Sequence, residues 1–335
     1  MPQILKKNLL VLIPLLLVYA WFLVFNVVSK PSNISVLGAD SNVALFVQPE
    51  AGKSPILDSI DNAQSEVLVE VYLLSDKQVI EALINARARG VAVNVMLEKH
   101  PFGGSNLNNK SEKTLRENGV AVKWTNPAYS LTHEKAMVID GKQAFILNQN
   151  LTSSAFTKNR EYNVLATDPQ DVAEVRNIFL ADWERKSYDP PATHLIVSPV
   201  NSRAALATLL KSATASIDIE LEYIEDREMV SLLSDRAKEV EIRLLIPTFS
   251  QFAANKAAAK QLAQNGVSVR TLSSPYIHAK MILIDDVKAY VGSINFSTQS
   301  MDENRELGIM LSESESIKIL DETFNNDWNL GTSVN

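Results

Sequence analysis

Apolar residues alternate with polar ones, then recur at every third and fourth position, then alternate again, and this succession runs twice along the chain. The first pass predicts a strand over residues 66–73, a helix over 78–89 and a strand over 91–97. The second predicts a strand over 217–223, a helix over 227–238 and a strand over 241–246. In each pass another helix follows and then a hairpin, with Asp140-Gly141 at its tip in the first and Asp285-Asp286 in the second. Asp-Gly is a strong two-residue turn signal and Asp-Asp a weaker one. Each pass closes on an amphipathic stretch ending FLADW or FNNDW, whose Phe and Trp read as core packing. Strands alternating with helices predict an α/β fold.

The passes are copies of one unit. HEKAMVIDGKQAFILNQNLT begins at His133 and HAKMILIDDVKAYVGSINFS at His278, an offset of 145 positions that also relates Asn159-Arg160-Glu161 to Asn304-Arg305-Glu306, Phe179 to Phe324, and Asp182-Trp183 to Asp327-Trp328. Upstream the offset drifts to 147 at Asn118-Gly119-Val120, to 149 at Val91, and to 151 over residues 65–72. Pro190-Pro191 marks the boundary between copies. The expected organisation is an anchor over residues 1–30, a first unit over 40–189 and a second over 194–332.

Residues 9–28 are apolar apart from Pro14 and Asn26, and they follow Lys6-Lys7. Such a run is long enough to cross a bilayer core of roughly 30 Å. A cleavable signal peptide, giving a secreted protein, competes with this, but the run is long for one and VVSKPSN offers no A-x-A-like exit. A retained single-pass anchor is favoured. The lysine pair on its short side predicts an extracytoplasmic catalytic part. The chain of 335 residues, 46% hydrophobic, can bury a full core, and its lack of cysteine excludes disulfides, zinc fingers and thiol nucleophiles. A formal net charge of −7 poorly matches a long polyanion, so nucleic acid is disfavoured as a partner.

Strand side chains change face at each residue, so His133 and Lys135 point one way, as do His278 and Lys280. Asp140 and Asp285 fall on the opposite face at a turn and read mainly as structural. If the copies face each other, two imidazoles, two ammonium groups and the amides of Asn150 and Asn295 meet in one pocket. That set suits a phosphodiester: one His attacks phosphorus while the other protonates the departing alkoxide. Lys135, Lys280, Asn150 and Asn295 would hold the non-bridging oxygens. Glu161 and Glu306, each 28 residues after a motif histidine, are candidates to orient the imidazoles. His100 and His194 lack companion ligand spacing and fit loop roles. No metal-ligand cluster is legible, and no metal or cofactor is expected.

HAK(x)4D followed by GSINFS and NREL, with HEK(x)4D, NLT and NREY in the other copy, resembles the phospholipase D superfamily, whose signature is HxKxxxxD followed by GSxN. The resemblance covers roughly residues 45–330. It implies two pseudo-symmetric phospholipase D-like α/β/α units sharing one active site, a phosphohistidine intermediate and no metal. Carried over by position, His133, Lys135 and Asn150 join His278, Lys280, Ser293 and Asn295 around one phosphate, and Asp140 and Asp285 complete the motifs. One departure is visible: Leu147-Asn148 stands where the second copy has Gly292-Ser293. By the same resemblance His133 is the nucleophile and His278 the acid. The implied activity is hydrolysis or head-group exchange on a membrane phospholipid by a monomer. Alternatives are cardiolipin-synthase-like phosphatidyl transfer, a membrane-tethered single-strand nuclease, and a non-catalytic binder of anionic lipid. Aromatic residues in the loops 100–104 and 247–252, with Tyr129 and Tyr276, are expected to rim the cleft.

Overall fold

The computed structural model describes residues 42–102, 106–191 and 194–334. The apolar run at 9–28, with the anchor expected there, lies outside them. Among the described residues no helix is long and apolar enough to cross a membrane.

The first half runs β1 (Val43–Gln48), α1 (Ser54–Asn62), β2 (Glu66–Val71), α2 (Lys77–Ala88), β3 (Ala92–Leu97), α3 (Asn109–Glu117), β4 (Ala121–Trp124), β5 (Lys135–Ile139), β6 (Gln143–Leu147), α4 (Ser153–Thr157), β7 (Asn159–Ala166) and α5 (Pro169–Glu184). The second repeats it as β8 (Leu195–Ser198), α6 (Ser202–Lys211), β9 (Ser216–Leu221), α7 (Arg227–Arg236), β10 (Glu241–Pro247), α8 (Lys256–Gln264), β11 (Ser268–Leu272), β12 (Tyr276–Ile277), β13 (Lys280–Ile284), β14 (Lys288–Gly292), α9 (Thr298–Asp302), β15 (Glu306–Leu311), α10 (Ser314–Leu330) and β16 (Thr332–Ser333). The sheet orders are β1-β7-β6-β5-β2-β3-β4 and β8-β15-β14-β13-β9-β10-β11-β16. Apart from the added β16, they are the same path. β12 leaves its own half and pairs with β7 of the first sheet.

Side chains on each strand divide between two cores, as a period of two requires. On β5, Met137 and Ile139 pack under α1–α3 while Ala136 and Val138 face a central core; on β13, Ile282 and Ile284 face α6–α8 while Met281 and Leu283 join the central core. That central layer also takes Val175, Ile178 and Phe179 of α5 and Leu320, Phe324 and Trp328 of α10. β5–β7 and β13–β15 meet across it. Each fully buried Val, Leu or Ile contributes about 1.5–3 kcal/mol, so neither half would leave this face in water at small cost. The Phe and Trp of FLADW and FNNDW stack in pairs, 5.7 Å between centroids in both halves, in line with their reading as packing residues.

Helix starts are written into the repeat. Asp76 caps α2 through the N–H groups of Gln78 and Val79, and Asp226 caps α7 through that of Met229. Thr152 and Ser297, which end the NLT and NFS triplets, cap α4 and α9. One sequence match needs correcting. Val71 lies opposite Lys135 as Leu221 lies opposite Lys280, so β2 aligns with β9 at an offset of 150, not 151. A one-residue slip exchanges the two faces of a strand. The structural counterpart of Tyr72 is therefore Glu222.

Candidate active site

His133 and His278 sit just ahead of β5 and β13, at the ends of strands buried along their whole length. What holds them comes from the opposite half. The backbone of residues 131–134 pairs with Arg305, His133 N–H donating to the Arg305 carbonyl at 2.9 Å; β12 runs beside Asn159 and Arg160, His278 N–H donating to the Arg160 carbonyl at 3.3 Å. The glutamate following each arginine therefore meets the histidine of the other half. His133 Nδ1 lies 2.9 Å from Glu306 Oε2, and His278 Nδ1 lies 2.8 Å from Glu161 Oε2. A carboxylate only accepts, so each Nδ1 carries the proton and each Nε2 is left for the cleft. Asn159 and Asn304 donate to the second oxygen of Glu161 and Glu306, at 3.0 and 3.3 Å.

The arginines complete the exchange. Arg160 forks onto Asp327 at 2.5 and 3.1 Å, and Arg305 onto Asp182 at 2.8 and 3.2 Å. All four side chains are buried. Bidentate pairs of this kind are geometrically specific, and here they bolt each NRE segment to the terminal helix of the other half.

A cleft of about 680 Å³ opens over the two imidazoles, lined also by Asn150, Asn295, Tyr72, Glu222, His100 and Phe102. Lys135 and Lys280 are fully buried beneath it, each donating to the carbonyl of its own motif histidine. Burial pushes the Lys135 ammonium down to about 7 and the His133 imidazole down to about 4. His133 is thus neutral at ordinary pH, with a lone pair on Nε2. Among the described residues the Oδ1 atoms of Asn150 and Asn295 are both buried without a hydrogen-bond partner; as acceptors they call for a donor, and only the Nδ2 groups of these amides could meet an anionic oxygen.

Several expectations change. Asp140 and Asp285 complete the motifs but do not enter the site, in line with their structural reading from strand spacing: Asp140 accepts from the N–H groups of Gln64, Ser65 and Glu66, and Asp285 from those of Thr214, Ala215 and Ser216. They anchor hairpin tips at the far end of the strands. Burial opposes it, but these donors hold the Asp285 carboxyl down to about 2. Ser293 is also outside the cleft, fully buried, accepting from the Leu307 N–H at 3.1 Å. Asn148 takes that place in the first half, accepting from the Tyr162 N–H at 3.4 Å and donating across to the Gly292 carbonyl at 2.9 Å. Its substitution for serine thus touches the frame and not the cleft lining. Of the expected rim, Phe102 and Phe252 line the cleft; Phe249 packs on the second-half core, and Tyr129 lies over the Arg305 guanidinium. His100, read as a loop residue, lines the cleft as well, while His194 is exposed beside Asp171.

Glu222, Asn159, Asn304, Arg160, Arg305, Asp182 and Asp327 were absent from the expected set. The repeated NRE triplet and DW pair signalled all but Glu222; what no spacing shows is that they act on the opposite half. Among the described residues one group of carboxylates, Glu70, Glu134 and Asp182, is close enough to share a cation. Arg305 already supplies positive charge there, and burial raises Glu134 to about 8 and Glu70 well above its usual range. Protonated acids answer the same demand as an ion would.

A family model described as "Cardiolipin synthase, PLD-like domain" matches the chain twice, over residues 56–183 and 206–328. "Cardiolipin synthase 1" of Bacillus anthracis is 24% identical over 333 residues, covering 84% of this chain and 65% of that protein. "Phospholipase D" of Rickettsia conorii is 31% identical over 156 residues, 46% of this chain and 73% of that one. The chain thus spans 65% of the length of its relatives in Bacillus anthracis and Bacillus cereus. Among solved structures, phosphatidylserine synthase of Haemophilus influenzae superposes with a TM-score of 0.66 at 11% identity, over 90% of this chain and 89% of that one. Polyphosphate kinase of Porphyromonas gingivalis gives 0.71 at 13% identity, over 88% of this chain and 48% of that one. At such identities the likeness is one of fold.

Proposed function

This chain belongs to the phospholipase D superfamily, within its cardiolipin synthase-like domain family, and on that premise we propose that it transfers the phosphatidyl group of a membrane phospholipid from the head-group alcohol to a second alcohol or to water. The observation that carries this is the crossed pair of histidines, each Nδ1 held by a carboxylate of the opposite half and both rings lining one cleft.

His133, neutral, attacks phosphorus with its Nε2 lone pair. The bond from phosphorus to the head-group oxygen breaks as His278 Nε2 gives that oxygen its proton. A phosphatidyl-histidine and a free alcohol result. An incoming alcohol or water then loses its proton to His278 Nε2 while its oxygen attacks phosphorus, and the His133 nitrogen departs with its electron pair. Lys135, Lys280, Asn150 and Asn295 offset the charge moving onto the non-bridging oxygens. The roles differ because the rings do. His278 has carboxylate oxygens at both nitrogens, Glu161 at 2.8 Å and Glu222 at 3.4 Å, so an N–H at either one has an acceptor. His133 has one carboxylate, with Tyr72 packed edge-on at 4.8 Å.

Relatives named as cardiolipin synthases favour an alcohol over water as acceptor. We take the catalytic body to be the units 40–189 and 194–332 acting in one chain, attached to the membrane by residues 9–28. The test is incubation of the purified protein with phosphatidylglycerol vesicles, with and without added ethanol, beside labelled single-stranded DNA. Phosphatidyl-alcohol formation is expected, and no DNA cleavage. Cleavage of the DNA with no change in the lipid would replace this proposal with the nuclease.

A further inference from the structure

Glu222 lines the cleft beside His278, and the proposed chemistry gives it no contact with the substrate. It occupies the place of Tyr72, and its carboxylate touches Lys280 Nζ at 2.8 Å, Tyr276 Oη at 3.1 Å and His278 Nε2 at 3.4 Å. Burial would raise its pKa, but His278 and Lys280 hold it down to about 2, so the group is an anion. Among the described residues lining the cleft the acidic side chains are Glu222 and Glu225, both of the second half. The position that matches Glu225 in the first half is Ser75, and that half presents Tyr72, His100 and Phe102.

An anion there is unfavourable for a phosphodiester seat. It claims one of the two lysines, and it repels the non-bridging oxygens that the remaining donors attract. Its position limits what could compensate. Glu222 lies against His278 Nε2, the atom assigned to protonate the departing oxygen, so it faces the alcohol side of phosphorus and not the diacylglycerol side. We propose that Glu222 is a specificity-determining residue: it receives the ammonium group of an amino-alcohol esterified to the phosphate, selecting zwitterionic head groups of the ethanolamine type over uncharged polyol ones. An ammonium two carbons from the departing oxygen brings its charge to the carboxylate while the ester oxygen stays at His278. The inference rests on the phosphodiester reading of the site for its orientation.

The experiment compares phosphatidylethanolamine and phosphatidylglycerol of identical acyl chains in mixed micelles, with the full chain and its E222Q and E222Y variants; E222Y restores the first-half residue. The unmodified protein is expected to prefer the ethanolamine lipid by about tenfold in kcat/KM, and both variants to bring the ratio near unity. A carboxylate that merely neutralises Lys280 would change both lipids by the same factor. Equal rates in the unmodified protein, or a ratio unmoved by both variants, overturn the assignment and leave the lipid reading standing. A second arm needs no lipid: hydrolysis of bis(p-nitrophenyl) phosphate is inhibited by ethanolamine phosphate or by glycerol phosphate. Ethanolamine phosphate should be the better inhibitor by about tenfold, and E222Q should erase that advantage. Should neither lipid react, the lipid reading fails and this arm still decides for or against Glu222.

Discussion

Tyr72 and Glu222 stand at one place in the two halves, just beyond β2 and β9, and they treat their neighbours differently. Tyr72 lays its ring edge against His133 and its face towards the Lys135 ammonium, 5.3 Å away, while its hydroxyl accepts from the Phe102 N–H. Glu222 puts a charge against both His278 and Lys280. The surrounding frame is the same to within a residue. Duplication thus supplies two superposable scaffolds, and one substitution sets the proposed nucleophile, His133, beside an aromatic ring and the proposed acid, His278, beside a second carboxylate. A symmetric site would have two rings competing for one protonation state, whereas the mechanism needs two different ones.

The largest effect should come from the histidines themselves. His133→Ala removes the attacking atom and is expected to lower turnover by about 10⁴-fold or more, with no phosphoenzyme detectable. His278→Ala should slow natural substrates by about 10²–10⁴-fold yet still accumulate phosphoenzyme from a diester with a good leaving group such as p-nitrophenol, which needs no acid. Acid quench after labelling the phosphate reads both. Labelling of the His133 variant alone would reverse the roles and detach them from the Tyr72 and Glu222 difference.

Next in size are the crossed ion pairs. Asp182→Asn and Asp327→Asn each leave a buried guanidinium short of its partner, and each is expected to cost about 3–5 kcal/mol in urea unfolding. The comparison sharpens at the third contacts. Arg160 keeps Glu50, at 2.6 Å and 38% exposed, and the Gln48 carbonyl at 2.7 Å, whereas the hydrogen bonds left to Arg305 among the described residues go to the neutral Tyr129 hydroxyl and the Ser198 carbonyl, with Glu134 close by but pushed towards its protonated form, so loss of Asp182 should be the costlier. Equal costs would mean that Glu50 contributes nothing measurable, as is common for a partly exposed ion pair.

The sequence carried most of the catalytic set and little of its wiring. His133, Lys135, Asn150 and their partners were legible because a strand's period and a repeated spacing are local properties. Glu161 and Glu306 were legible as histidine partners for the same reason, but an offset of 28 within a copy and a contact across copies look alike in one dimension. The strands β1 and β8 were missed because VALFVQ and LIVS are buried on both faces and show no alternation. Glu222 was hidden by the 151-residue match, which set it against Val71 and made it a sheet residue. Only the ladder registers, which fix 150, bring it into the cleft.

The halves also differ in how pH should act on them. Lys280 is matched by Glu222, while among the described residues Lys135 has no carboxylate at hydrogen-bond distance, and burial lowers it to about 7. Formation of the phosphoenzyme should therefore decline as pH rises through about 7, where the Lys135 charge is lost, and on the acid side through about 4, where His133 gains a proton. Tyr72→Glu gives the first half the second half's carboxylate. It should move the alkaline limb to higher pH, because an adjacent anion favours the ammonium form. A limb that stays put under single-turnover conditions would exclude Lys135 as its source.

The smallest effect concerns the hairpin tips, where the sequence signals were unequal and the structures are not. Asp140 and Gly141 have φ of 54° and 62°, and Asp285 and Asp286 have 50° and 53°, so both turns place two residues in the left-handed region. Glycine adopts that region freely, while an L-residue with a Cβ pays roughly 1 kcal/mol, somewhat less for Asp. Asp286 also lies near Asp321, and burial and that carboxylate raise its pKa together. Asp286→Gly removes both penalties and adds back some freedom to the unfolded chain, worth about 0.4–1 kcal/mol in the opposite sense. A net gain of about 0.5 kcal/mol is expected, seen as a higher urea midpoint at unchanged slope. Gly141→Asp should lose a comparable amount, since a Cβ there meets nothing nearer than Glu66 Oε1 at 3.7 Å and the cost is conformational. If Asp286→Gly destabilises instead, the Asp286 carboxylate is contributing more at the second tip than its left-handed backbone costs, and the two turns are alike only in shape.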